Sequence, residues 1–464
     1  MTTPSRVSRG KIIVVEFAVL CVAVVLVPVL HAESRPARGA AVVPANVELP
    51  YLWQATVGMD PPGTAAVLFG GDAAGLQSDL FEMEGGKLVV VGRGGEYRVL
   101  RYPTEKLLAG QDVRLSPDGN LVAQSEVTDG PGGRLVVTDL RTGRNRGYGG
   151  QNGDYYVDGI AAWRPDGGAA LLLSQLEDFK VPVDAKHLVR PLRYALLDLD
   201  TAESVPLADI FEGYDVSLAW AAAFAPDGRN LVLTVPGSTN GTVLRAYDTG
   251  GTPLWDRDLG AERHLAGSGA YTPDGRAIAT ITLDGCTDVC DRDQLAARRW
   301  TVSYVDAATG ADVAGPPLPA APGMAVRALG WHGTDLVVVQ YRPEDGLAKD
   351  YEYFRETGWY ETGDVRVLAL RSDGTVSVLL DPPNDVTSID IPQDLIRDGT
   401  FAGPTSSPSL LPARWGILVQ VSLCTVVPLL LIAAGAVVVV RRVLRRRRVS
   451  GRPGRPSRST AAAG

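Results

Sequence analysis

Short apolar runs rich in Val, Leu, Ile and Ala punctuate the middle of this 464-residue chain, and the same turn signal interrupts them at intervals. Leu115-Ser116-Pro117-Asp118-Gly119 precedes Leu121-Val122-Ala123, and Trp163-Arg164-Pro165-Asp166-Gly167 precedes the apolar stretch from Ala169 to Leu173. The pattern returns as Phe224-Ala225-Pro226-Asp227-Gly228 before Leu231-Val232-Leu233, and as Tyr271-Thr272-Pro273-Asp274-Gly275 before the run from Ala277 to Ile281. Pro pre-sets φ at the first corner of a tight turn, Asp bonds its own backbone, and Gly takes the positive φ that closes a hairpin. Each Pro-Asp-Gly therefore predicts a hairpin between two strands.

A second turn follows one strand later. It reads Asp139-Leu140-Arg141-Thr142-Gly143, Asp198-Leu199-Asp200-Thr201, Asp248-Thr249-Gly250 and Asp306-Ala307-Ala308-Thr309-Gly310. Two hairpins per repeat make four strands, and four-stranded units at a period of about 40 to 60 residues are the blades of a β-propeller. Weaker copies lie at both ends of the series: Leu88 to Val91 with Arg98-Val99-Leu100, and Leu329 to Val339 with Val365 to Leu380, the latter turning at Ser372-Asp373-Gly374. The expectation is an all-β, six-bladed propeller with blades near 51–105, 110–150, 157–208, 215–260, 264–318 and 324–382. A seventh blade follows if residues 383–400 contribute strands.

With these turns the chain resembles the WD40-like β-propellers of the TolB type over roughly residues 80–380. The resemblance implies fold and, by analogy, an envelope interaction module; the shared motifs are structural turns and carry no activity.

The ends of the chain add a topology. Ile417 to Val440 is an apolar run of 24 residues without a charge, about 36 Å as a helix and long enough to span a bilayer. Arg441, Arg442, Arg445 to Arg448, Arg452, Arg455 and Arg458 follow it with no acid, which places this end in the cytoplasm. Near the N-terminus, Arg6, Arg9 and Lys11 precede an apolar stretch from Ile12 to Leu30 that is interrupted by Glu16. It reads either as a signal peptide cut after Ala32 or as an uncleaved signal anchor. The expected organisation is thus 1–32 signal segment, 33–382 extracytoplasmic propeller, 383–414 Pro/Ser-rich stalk, 415–440 transmembrane helix, and 441–464 Arg-rich cytoplasmic tail without order.

Charge sharpens this. The whole chain is at −8, yet setting aside Arg6, Arg9, Lys11, Arg414, the nine tail arginines and Glu16 leaves 32 basic against 52 acidic residues, near −20. A nucleic-acid partner is disfavoured, because such binding demands a basic surface. Arg outnumbers Lys 39 to 6 in an Ala- and Gly-rich chain, the mark of GC-rich coding and of a bacterial source such as an actinobacterium.

Candidate chemistry is sparse. Cys21 and Cys424 lie within the two apolar spans, and Cys286 and Cys290 form the one pair between them. In an oxidising compartment that pair reads as a short-loop disulfide pinning a loop tip. Asp284, Asp288, Asp291 and Asp293 crowd the same segment and raise calcium, while zinc would need two more ligands; the spacing matches no calcium loop, and no metal or cofactor is assigned. The four histidines, His31, His187, His264 and His332, are scattered. Neither a Gly-x-Ser-x-Gly elbow nor a phosphate-binding Gly-x-x-x-x-Gly-Lys loop occurs, and Gly92-Arg93-Gly94-Gly95 reads as a hairpin turn. About 30 residues separate the last blade from the apolar run, which leaves no room there for a hydrolase domain of the kind some related propellers carry.

Length has accumulated between the second and third strands of three blades, about Gln175 to Leu192, Leu283 to Arg299 and Arg342 to Asp364. Insertions of this kind gather on one face of a repeat protein. The last holds Tyr351, Tyr353, Phe354, Trp359 and Tyr360, side chains that supply contact area at recognition surfaces or fold back over the blade edge. The function expected is a non-catalytic, membrane-anchored, extracytoplasmic module that binds a protein or envelope partner through this face. The alternatives are a sensor of a cation or small ligand, and a hydrolase or lyase built from carboxylates in the central channel.

Overall fold

The computed structural model describes residues 41–51, 54–73, 75–76, 86–101, 107–126, 134–149, 155–176, 192–210, 218–237, 241–287, 290–345, 362–409 and 428–443. Residues 35–410 form one compact unit.

Six sheets of antiparallel strands form the blades. The second blade comprises Val113–Leu115, Leu121–Glu126, Arg134–Asp139 and Arg144–Tyr148, in that order from the inside outward. The third follows with Tyr155–Trp163 to Ser204–Ile210, the fourth with Ala222–Phe224 to Pro253–Gly260, and the sixth with Ala325–His332 to Val376–Leu380. The fifth, Arg263–Leu265 to Asp312–Val313, gains a short fifth strand, Ala321–Pro322, paired with Arg299–Asp306.

The first blade departs from expectation. Residues 51–105 supply three of its strands, Ala65–Gly71, Lys87–Gly92 and Tyr97–Arg101. The innermost strand comes from the far end of the chain: Val386–Asp390 pairs antiparallel with Ala65–Gly71, with Leu68 opposite Asp390 and Phe69 opposite Ile389. The ring therefore closes at six, and residues 383–400 complete a blade instead of adding a seventh. The stretch read as a stalk carries this strand, a short helix α1 at Gln393–Asp398, and the strand Thr400–Gly403, which pairs in parallel with Val42–Pro44. Its burial explains the difference: Val386, Ile389, Ile391, Leu395 and Ile396 all sit in the apolar core.

The turns form as their residues dictate. Gly119, Gly167, Gly228 and Gly275 all lie near φ +70°, and the preceding Asp side chains accept backbone N–H groups two residues on, as from Asn120, Gly168, Arg229 and Arg276. The second strands of the fourth and sixth blades are buried on both faces, so Leu231-Val232-Leu233 and Leu336 to Val339 are unbroken apolar runs. Outermost strands meet water and alternate, as in Val376–Leu380.

Residues 428–443 are helical. Among the described residues no helix is long and apolar enough to cross a membrane. The N-terminal apolar stretch, residues 417–427 and the arginine tail beyond 443 lie outside the described residues.

Candidate functional site

Strand order gives the ring two unlike ends. The Pro-Asp-Gly turns and the Asp-x-x-Thr-Gly turns share one end, and the connections between second and third strands share the other, as the insertions required.

At the insertion end, the fifth-blade connection is a built element. Cys286 and Cys290 are disulfide-bonded, with Cα atoms 5.9 Å apart. Asp291 then caps a short helix, Arg292–Ala297, accepting from Gln294 N at 2.8 Å while its own N–H donates to Gln294 Oε1 at 2.9 Å. Cys290 and Leu295 are fully buried, so the disulfide holds the loop into the core instead of marking its tip. Arg298, also buried, donates to the Cys286 and Met324 carbonyls at 2.8 and 3.2 Å. Arg292 ion-pairs with Asp345 at the start of the sixth-blade insertion. With Cys286 and Cys290 joined, zinc has no thiolate there, and among the described residues no group of three His, Cys, Asp or Glu side chains is gathered to hold a metal. Tyr351, Tyr353, Phe354, Trp359 and Tyr360 lie outside the described residues, as do 177–191.

The turn end holds what the sequence reading passed over. One register position, two residues before a proline in five blades and before Gly333 in the sixth, lines the mouth of the central channel: Leu115, Trp163, Phe224, Tyr271, Trp331 and Asp390. All six are between 5 and 7% exposed. They line two adjoining clefts, which share Ser268 and Gln393. Helix α1 sits at this mouth: Asp394 N donates to Pro117 O at 3.0 Å, Asp394 accepts a bidentate pair from Arg93 at 2.7 and 2.8 Å, and His332 Nδ1 meets Ile396 O at 3.0 Å.

Behind the ring lie charges. Asp390 accepts from Leu115 N at 3.0 Å and stands 3.5 Å from Arg327 Nη1. Arg327 is fully buried and donates to Ile389 O at 2.7 Å. Arg114, from the second blade, reaches the Leu218 carbonyl that leads into the fourth. Burial, and then Arg327, push its guanidinium down to about 10. Burial likewise raises Asp112, which accepts from Leu108 N at 2.8 Å. Deeper in, Trp220 Nε1 donates to Val326 O at 2.8 Å and its ring stacks on His264 with centroids 4.6 Å apart. His264 and His332 thus have structural partners. Asp112 and Asp390 are each engaged by a backbone N–H group. The signal for this cluster was present in the sequence: Arg114, Arg327 and Asp390 each stand between apolar neighbours on an inner strand, where an uncharged residue is the norm.

Six four-stranded blades joined by these two turns make the chain a TolB-like propeller in architecture. No protein-family model and no curated protein matches it. Similar solved structures include TolB from Acinetobacter baumannii (13% identity, covering 65% of this chain and 66% of that one, TM-score 0.34). TolB from Agrobacterium tumefaciens, described as putative, is 15% identical over 74% of this chain and 93% of that one, with a TM-score of 0.33. An oligogalacturonate lyase from Vibrio parahaemolyticus is 13% identical over 68% and 79%, with a TM-score of 0.35. At these scores the architecture rests on the strand pairing itself, and no activity passes from those proteins to this chain.

Proposed function

We propose that this chain is a membrane-anchored, extracytoplasmic propeller that binds a protein or envelope partner through its insertion end, without catalysis. The observation that carries the reading is a contact at this end: the disulfide-held helix of the fifth blade reaches, through Arg292, to Asp345, where the sixth-blade insertion begins. The apolar run 417–440 with its trailing arginines supports the anchor, and the disulfide supports an oxidising compartment. The engagement of Asp112 and Asp390 in the fold supports a role other than catalysis.

Photo-crosslinking in cells tests this, with benzoylphenylalanine placed at Gln294 on the insertion end and at Asp227 or Arg276 on the turn end. One protein species crosslinked from the insertion end alone, and lost when Tyr353, Phe354, Trp359 and Tyr360 are changed to Ser, is the expected result. Adducts from the turn end alone, or turnover of an envelope substrate abolished by Asp390→Asn in a folded protein, would overturn it.

A further inference from the structure

The geometry points to a second ligand site at the turn end, where the channel mouth takes an organic carboxylate: a planar anion held by buried N–H donors, its apolar part lying against the aromatic and proline ring.

Three observations converge. First, the mouth concentrates donors without acceptors. Trp163 Nε1, Trp331 Nε1 and Arg114 Nε are buried and have no hydrogen-bond partner, although Arg114 is only 3% exposed. Buried donors are nearly always satisfied in folded proteins, so three in one place call for an acceptor supplied from outside. Each of these residues lines one of the two clefts, which meet at Ser268 and Gln393.

Second, the sign of the buried charge favours an anion. The close carboxylate is that of Asp390, whose oxygens already serve Leu115 N and which Arg327 Nη1 faces at 3.5 Å without a directed hydrogen bond. Arg114 itself hydrogen-bonds the neutral Leu218 carbonyl and, among the described residues, makes no close ion pair, so an entering anion can pair with it while a cation meets a buried like charge.

Third, the walls suit a ligand with an apolar body. Trp163, Phe224, Tyr271 and Trp331 come from four successive blades, with Pro165, Pro226 and Pro273 beside them. The cleft is apolar with a few convergent polar groups, the lining typical of a small-molecule site. This site is at the opposite end from the insertions and is independent of any partner there.

The test uses the full-length protein in detergent, titrated with benzoate and, as the neutral isostere, benzamide, and read by the indole N–H resonances of 15N-tryptophan-labelled protein. N-acetyl-alanyl-phenylalanine and its C-terminal amide form a second pair that separates a free small acid from a chain end. The expected result is saturable binding of an acid but not of its amide, with the Trp163 and Trp331 indole signals moving downfield. Trp331→Phe and Trp163→Phe keep the ring and remove one donor each, and each should weaken acid binding roughly tenfold or more, the worth of a hydrogen bond to a charged group. Arg114→Gln should abolish binding; should that variant not fold, the two Trp→Phe variants carry the test alone. Preference for the peptide acid over benzoate identifies a polypeptide C-terminus as the source. Equal binding of acid and amide, no binding of either pair, or retention of full affinity in both Trp→Phe variants would overturn the proposal.

Discussion

Neutralising Asp390 while keeping its shape, as Asp390→Asn, isolates the charge balance of the channel. The carboxylate is 3.5 Å from Arg327 Nη1, and the two side chains are 11% and 0% exposed. At an effective dielectric of about 20 such a pair is worth roughly 4 to 5 kcal/mol, and breaking a buried pair from one side typically costs about 3 to 5 kcal/mol. The Asn side chain can still accept from Leu115 N, so the loss belongs to the charge and not to the strand contact. A domain of this size has a stability on the order of 5 to 15 kcal/mol, so the variant should fold yet lose a large share of it. Urea unfolding of the full-length protein followed by tryptophan fluorescence should show a lower midpoint at unchanged slope. The double change with Arg327→Met should recover most of the loss, since removing both charges removes the penalty. A loss below about 1 kcal/mol, the range of exposed pairs, would refute the argument by showing that water screens the channel.

Other expectations are equally direct. Ala202 holds φ +60° at the position where Gly143 and Gly310 close the corresponding turns; Ala202→Gly should stabilise by about 0.5 to 1 kcal/mol, the left-handed penalty less the glycine entropy, as read from the urea midpoint. Gly310→Ala should do the reverse, because its Cβ would meet the Trp255 ring at 2.6 Å. Tyr97 donates to Ser406 O, and burial raises it to about 12. Its unfolded form ionises near pH 10 while the folded form stays protonated, so the native state holds the extra proton and stability falls between about pH 10 and 12, by on the order of 2 to 3 kcal/mol. Tyr97→Phe should remove that share of the alkaline slope, measured as midpoint against pH. Reducing the Cys286–Cys290 bond, which spans a sequence separation of 4, should cost about 2 kcal/mol by loop entropy and open residues 285–298 to proteolysis, seen by mass spectrometry of the fragments.

The blades were legible because their turns are chemically explicit: each Pro-Asp-Gly carries its own reason to fold back. Closure was not, since Val386-Thr387-Ser388-Ile389-Asp390 has no turn of its own and its partner is at the other end of the chain. Local pattern cannot announce a long-range pairing. The channel mouth was half legible. Aligning the repeats on their prolines places Leu115, Trp163, Phe224 and Tyr271 at one position; the sixth blade lacks the proline that would add Trp331, and that these residues meet Asp390 follows only once the ring is known to close at six. The insertion aromatics, Tyr351 to Tyr360, were singled out by residue type, a criterion that says what a surface could recognise and nothing of where its atoms stand.

The closing strand also sets a schedule for the chain. Arg93 on a first-blade turn finds Asp394 on helix α1 across a separation of 301 residues. At about 5 to 20 residues per second of synthesis, the first blade waits roughly 15 to 60 s for its innermost strand. During that interval Ala65–Gly71 is an apolar strand with a bare edge, the kind of surface that recruits stray strands. A chain made this way has reason to be kept extended by a chaperone or passed directly to a translocation channel until its C-terminal third has emerged. Truncations before Val386 should accordingly yield aggregates rather than smaller propellers.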